Sequence, residues 1–447
     1  MMPRFAALVA TLLTAMQPAA KLMAPGFCAT EKQTSGYITL PNRVDTHYFY
    51  WYFESRNKPR TDPLIMWIPG GPGEGGTYGL LAENGPCIVD DVLSSKCNPF
   101  SWTSVANMVW VDLPGNAGFS YSTTAEDDEF TDERVDESVF WFLQGFLTKH
   151  PELQGRELFL VGESYGGHFV ASAANYILIK QHESASANLT AINLEGIAIG
   201  NGLIDLMEVF THFVNMTSNS YNITLVNEPQ LAAMEAAFPH CQALMARCQT
   251  NLAICGVAGS YCQQTQLLPL LQAHRNPYDI RQECQTSASN ASACLVKVPK
   301  IKAFLDLPKV RDFLGVHPSR SEWILLNRTI NAAFFAAPSY SGYVSMGDKL
   351  SSLLNSGLRV LLYAGDADIL CNIYATEVTA KNLKWNGAPG FNFAPERPYP
   401  GISDAGTVQS YWHLTFVKVH KAGHMVPEDQ PELALDMITK FIHNQAF

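Results

Sequence analysis

Short apolar runs closed by Pro and Gly dominate the first third of the chain. Residues 47–54 are aromatic and β-rich, 64–68 form a buried-type run ending in Pro and Gly, and 108–112 form another, so each is predicted to be a strand. The period then changes. Val135, Val139, Phe140, Phe142, Leu143 and Phe146 recur at helical spacing over 132–150, with Pro151 just beyond, which predicts a helix with one broad apolar face. A strand over 157–161 is expected to run straight into Gly162, followed by a helix over about 165–180 and a strand over 196–199. Strand and helix in alternation predict an α/β fold, a mainly parallel central sheet with helices on both faces.

That alternation stops near Asp205. From there to Ala336 the chain is helical and polar by turns, has no clear strand series, and carries six of the ten cysteines and four of the five Asn-x-Ser/Thr sequons. Residues 206–336 are therefore expected to form an inserted helical cap stapled by disulfides. The alternation resumes with a helix over 349–355, a strand over 358–363, a helix after Cys371, a strand over 411–419 and a last helix over 432–443. Residues 21–205 and 337–447 are accordingly expected to build one core from two halves of the sequence. There is no internal repeat and no low-complexity tract.

Composition narrows the partners. With 447 residues, 47% hydrophobic and 16% charged, the chain has ample material for a large core, and disorder is disfavoured. Thirty basic residues against forty-one acidic give a net charge of −11, and no run of Lys and Arg could track a phosphate backbone or grip anionic lipid, which argues against nucleic acid and membrane surfaces as partners. Arg4 precedes an apolar stretch over 5–16 and small residues at Ala19 and Ala20, the pattern of a cleavable signal peptide over about residues 1–20. Its apolar part is shorter than the roughly twenty residues that span a bilayer. Sequons at Asn188, Asn215, Asn222, Asn290 and Asn327 and the crowded cysteines fit the secretory pathway, ending in a lysosome- or vacuole-like compartment or outside the cell. The cysteine-rich stretch has few His and no closely spaced Cys pair, which argues against zinc, and no cofactor is implied.

The strongest chemical signal is Gly162-Glu163-Ser164-Tyr165-Gly166-Gly167, a Gly-x-Ser-x-Gly pattern between a predicted strand and a predicted helix. A sharp strand-to-helix turn presents its central serine at the carboxyl edge of the sheet, and flanking glycines make room for it. A serine nucleophile needs a base, and the base an orienting acid, in the order Ser, acid, His. The strand over 358–363 ends in Ala364-Gly365-Asp366-Ala367-Asp368, which offers two acids; spacing does not choose between them. After the strand over 411–419 come His420 and His424, and the loop position ahead of the last helix favours His424.

Taken with Trp67-Ile68-Pro69-Gly70-Gly71-Pro72-Gly73, Asp112-Leu113-Pro114, Gly118 to Ser122, Gly200-Asn201-Gly202, Gly365 to Asn372 and Gly423 to Pro427, the chain resembles the serine carboxypeptidases of the α/β-hydrolase fold over nearly its whole mature length. The resemblance implies a peptidase acting through an acyl-enzyme on peptides with a free C-terminus. It implies a triad of Ser164, Asp368 and His424, with Asp368 selected because it stands three residues before Cys371-Asn372. Backbone N–H groups of Gly71 and Tyr165 are the implied oxyanion hole, and Glu163, Glu83, Gly70 and Trp67 the implied carboxylate-binding set. A Glu beside a substrate carboxylate helps only when protonated, so an acid optimum is expected. A homodimer is compatible with the resemblance.

Two departures stand out. Pro69 replaces the family's Asn and brings neither an N–H nor a side-chain donor, and Glu74-Gly75-Gly76 replaces Cys-Ser-Ser. The partner of that cysteine is absent too, since no Cys lies between Cys294 and Cys371. The expected pairs are Cys241–Cys262, Cys248–Cys255, Cys284–Cys294 and Cys87–Cys97, with Cys28 unassigned and Cys371 free near the triad. Pro69 also keeps open an esterase or acyltransferase on the same triad, and the altered turn a silent hydrolase-fold binding protein.

Overall fold

The computed structural model describes Cys28, residues 30–183, residues 189–284 and residues 288–447; the expected signal peptide and the sequon at Asn188 lie outside the described residues. In chain order the main sheet contains β1 (Gln33–Thr39), β2 (Thr46–Phe53), β3 (Leu64–Ile68), β4 (Asn107–Val111), β5 (Tyr121–Ser122), β6 (Glu157–Glu163), β7 (Asn193–Gly200), β8 (Arg359–Gly365), β9 (Arg397–Pro398), β10 (Gly406–Tyr411) and β11 (Leu414–Val419). Across the sheet they run β1, β2, β4, β3, β6, β7, β8, β11, β10, β9, with β5 beside β2. The six from β4 to β11 are mutually parallel, and antiparallel strands close both edges.

Central parallel strands are covered on both faces and so need continuous apolar sequence, as in Leu64–Ile68, where all five residues are buried. Alternation decides the face. Leu158 and Leu160 of β6 join the core that holds Val139, Phe142 and Phe146 of the helix Asp132–Lys149, whereas Phe159 and Val161 join the opposite core with Ile438 and Phe441 of the helix Pro431–Ile442. The helix Asp132–Lys149 starts on the cap Thr131, whose Oγ1 accepts from the Arg134 N–H, and stops before Pro151.

Three expectations need correction. The expected strand over 411–419 is a hairpin, β10 and β11, turning tightly at Trp412, whose φ is +50°, between the paired Tyr411 and Leu414. The stretch over 206–336 is mostly helical but contains a two-stranded hairpin, Arg275–Asn276 with Asp279–Glu283. Cys87 is bonded to Cys28, not Cys97. Cys87 and Cys97 do face each other in a small hairpin. Cys87, however, turns inward to meet the buried Cys28, while Cys97 is exposed beside Arg56.

Cys241–Cys262, Cys248–Cys255 and Cys284–Cys294 pair as expected, and Cys371 is free and buried. Cys241 and Cys248 are two helical turns apart on the helix Glu228–Cys248, so both point inward at the helix Cys255–Cys262. No described helix is long and apolar enough to cross a membrane.

Candidate active site

Between the end of β6 at Glu163 and the helix starting at Gly166 the chain turns within two residues, and Ser164 is held at φ +59°, a left-handed conformation that costs a non-glycine residue on the order of 1 kcal/mol. The neighbours leave no alternative to glycine. A Cβ on Gly162 would sit 2.7 Å from the Gly166 carbonyl oxygen, and one on Gly166 2.7 Å from that of Ile68. Gly70 is equally constrained, since its Cβ would meet the Ser164 Cβ at 2.6 Å. That clearance lets the turn after β3 lie directly against Ser164.

β8 and β11 are adjacent and parallel, so the loops leaving their carboxyl ends meet. Asp368, fully buried, accepts 2.7 Å from His424 Nδ1, which leaves Nε2 as the free acceptor of the imidazole. Three further donors fix the carboxylate: Asn201 Nδ2 at 2.9 Å, the Leu370 N–H at 2.9 Å and the Cys371 N–H at 3.2 Å. Asp366 points elsewhere and accepts from the Tyr221 hydroxyl, while His420 lies at the surface facing Asp404. Geometry thus separates both ambiguous pairs.

Asn201 was a motif residue without a role; it also accepts from the Gly365 N–H at 3.1 Å and so ties the end of β7 to the acid loop. Tyr278 had no sequence signal at all. Its carbonyl accepts from the His424 N–H at 2.7 Å and its ring lies 5.1 Å from the imidazole. Through this hairpin, which also bonds to Ala367 and Ile369, the 206–336 segment grips both the Asp368 loop and the His424 loop.

Ser164, His424, Gly71, Tyr165 and Glu163 open onto one cavity of about 310 Å³, walled by Leu203, Phe210, Phe213 and Leu295. Among the described residues Ser164 is not hydrogen-bonded to His424 and lies instead against the Cys371 thiol, whose pKa is pushed well up by burial and then by Asp368. Catalytic hydrogen bonds of this kind commonly close only when substrate is bound. Among the described residues, neither the Gly71 nor the Tyr165 N–H has an acceptor.

At the other end of the cavity Glu163 and Glu83 form no ion pair among the described residues. Glu163 and Glu83 are both buried, and each has an Oε2 without a hydrogen-bond partner. Burial first, then the neighbouring Glu83, pushes the Glu163 carboxyl well above its ordinary range; burial pushes Glu83 up to about 8. Trp67 packs edge-on against Trp102 in the core and, like Gly70 and Glu83, stands behind the cavity lining. The Gly-rich turn without its family disulfide is tied by backbone instead: Gly75 N–H to Leu325 O at 2.8 Å and Asn327 N–H to Gly73 O at 2.9 Å. Trp323 Nε1 adds a bond to Thr77 Oγ1, and Asp112 accepts from the Thr77 and Phe119 N–H groups.

Comparison with known proteins places the chain in a family. A family profile described as "Serine carboxypeptidase" matches residues 25–444. Carboxypeptidase Y of Candida albicans is 36% identical over 418 residues, covering 92% of this chain and 73% of the relative, and a "Serine carboxypeptidase-like" protein of Oryza sativa subsp. japonica is 32% identical, covering 91% and 92%. The crystal structure of Kex1(delta)p, a prohormone-processing carboxypeptidase from Saccharomyces cerevisiae, superposes with a TM-score of 0.80 at 25% identity, covering 93% of this chain and 91% of that one. A nucleophile elbow, an acid and a histidine at adjacent strand ends, and a family match across the chain lead to one assignment: this α/β-hydrolase-fold protein belongs to the serine carboxypeptidase family and is a serine-type carboxypeptidase.

Proposed function

We propose that Ser164 attacks the last peptide bond of a substrate with a free C-terminus while His424 Nε2 takes its proton, Asp368 holds the imidazole, and the Gly71 and Tyr165 N–H groups receive the oxyanion. The protonated imidazole then gives its proton to the departing amine, and water, activated by the same His424, hydrolyses the acyl-enzyme. Each oxyanion donor is worth about 3 kcal/mol in the transition state. Glu163, backed by Glu83 and with Gly70 and Trp67 shaping the floor, receives the terminal carboxylate.

The observation that carries this reading is the buried pair Glu163 and Glu83 beside Ser164, neither of which forms an ion pair among the described residues. With Glu83 behind it, Glu163 stays neutral and donates to a carboxylate instead of repelling it, so activity is best at acidic pH. A blocked dipeptide and its C-terminal amide test it: the free acid is strongly preferred, and preference for the amide or an ester would favour the acyltransferase or esterase reading that Pro69 admits. Residues 206–336 act as a cap, supported by the hairpin that reaches both triad loops. Disulfides and the exposed sequons Asn215 and Asn222 support passage through the secretory pathway to a vacuole-like compartment or the exterior, after loss of a signal peptide.

A further inference from the structure

Pro69 and Glu74 stand five residues apart on the same Gly-rich turn, and both depart from the family pattern. The first removes a donor from the carboxylate end of the cavity. The second adds a carboxyl group there. Glu74 is fixed by its backbone: its N–H bonds to Gly70 O at 3.3 Å, and it forms an isolated bridge with Leu326. Its side chain lines the cavity together with Ser164, Glu163, Tyr78, Tyr278 and His424.

Among the described residues the Glu74 carboxyl has neither hydrogen bond nor ion pair. Of the acids around it, Asp279 and Asp429 pair with Arg281 and Glu428 pairs with Lys297, whereas Glu163 and Glu83 form no ion pair among the described residues. Glu74 faces Glu83 and Glu163, which are acids, the phenols of Tyr78 and Tyr278, and the imidazole of His424. Burial first, then Glu83, pushes it up to about 8, with His424 opposing. Below that value it is a hydrogen-bond donor aimed into a cavity whose neighbouring Glu163 has a buried, partnerless oxygen.

We propose that Glu74, as a neutral carboxylic acid, donates a hydrogen bond to the C-terminal carboxylate of the peptide and replaces the donor lost at Pro69. Glu74 is thus a specificity-determining residue of this chain. The inference rests on Glu163 marking the carboxylate end.

The test compares wild type, Glu74→Gln and Glu74→Ala on a blocked dipeptide ending in leucine as free acid and as amide, and on one ending in lysine. Glu74→Ala raises KM for the free acids about tenfold, leaves KM for the amide unchanged, and moves kcat by less than about threefold. Glu74→Gln, which keeps a donor but cannot ionise, restores the free-acid KM at about pH 5 and holds it lower than wild type towards about pH 8. If both variants match wild type on the free acids at every pH, the proposal is wrong. A loss confined to the lysine-ending peptide, with Gln as poor as Ala, would instead make Glu74 an anionic site for a basic residue. Should wild type itself not prefer the acid to the amide, the Glu163 reading fails and takes this one with it; a wild-type preference that both variants keep removes only Glu74.

Discussion

The two ends of the cavity treat buried acids in opposite ways. Asp368 accepts four hydrogen bonds, one from the His424 imidazole and three from Asn201, just past β7, and the backbone of its own loop. Glu163, Glu83 and Glu74 form no ion pair among the described residues and are driven towards the neutral form, first by burial. In the proposed reading one end accepts protons and positive charge, and the other donates hydrogen bonds to a negative charge that arrives with the substrate. Both chemistries fit within one site because the two ends are supported by different elements: loops after β8 and β11 on one side, the turn after β3 and the end of β6 on the other.

The largest effects belong to the end that accepts. Ser164→Ala lowers kcat/KM by roughly 10⁴-fold or more and abolishes labelling by a fluorophosphonate, and Asp368→Asn costs about as much by favouring the wrong imidazole tautomer. Asp366→Asn is the control, because Asp366 bonds to Tyr221 and not to the imidazole; kcat within about threefold of wild type is expected, and a loss equal to that of Asp368→Asn would exchange their roles.

The donating end gives a smaller effect with a different signature. Glu163→Ala raises KM for free-acid peptides by roughly tenfold to a hundredfold, whereas Glu163→Gln keeps a donor and flattens the alkaline fall of kcat/KM. A Gln variant whose pH profile is superimposable on wild type would show that ionisation of Glu163 does not limit activity.

Much of this was legible in the sequence, for physical reasons that also mark where legibility ends. The Ser164 turn could be read because glycine clearance on both sides of a strained residue is a local requirement written in six consecutive letters. Parallel strands such as Leu64–Ile68 were legible because burial on both faces demands unbroken apolar runs. The hairpin at Trp412 was hidden because a bulky residue, not Asn or Gly, takes the positive φ, so the sequence over 411–419 looks like one strand. Choosing Asp368 over Asp366 needed the imidazole in place. Tyr278 and the Cys28–Cys87 bond depend on contacts distant in sequence, which no local pattern records.

Stability shows the contrast at the level of the whole chain. An acid whose folded pKa lies above its unfolded value, about 4.3 for Glu and about 3.9 for Asp, stays protonated in the fold while the unfolded chain releases the proton, so its contribution is complete at low pH and is lost as pH rises through the folded value. Glu74 and Glu83, both pushed up to about 8, and Asp112, pushed up to about 6, act in this sense. Acids held low, such as Asp132 beside His168, are lost in the opposite direction, on acidification. The melting temperature is therefore expected to be higher at about pH 5 than at about pH 8, with a shallower slope in Glu83→Gln. A slope of opposite sign would mean these acids are ionised in the fold.

The smallest expected effect lies where the two ends meet. Cys371 follows the acid loop, donates its N–H to Asp368, and sets its thiol against Ser164, with burial and then Asp368 pushing that thiol well up. It is therefore a poor nucleophile despite its place. Cys371→Ser should change kcat/KM by no more than about threefold, because the Asp368 bond comes from the backbone. Iodoacetamide, which needs the thiolate, should inactivate wild type slowly near neutral pH, while an organic mercurial, held by sulfur affinity, should block the cavity, and Cys371→Ser should resist it. Rapid alkylation at neutral pH would show the thiolate to be stable beside Asp368, and the separation of the two ends would then not extend to this position.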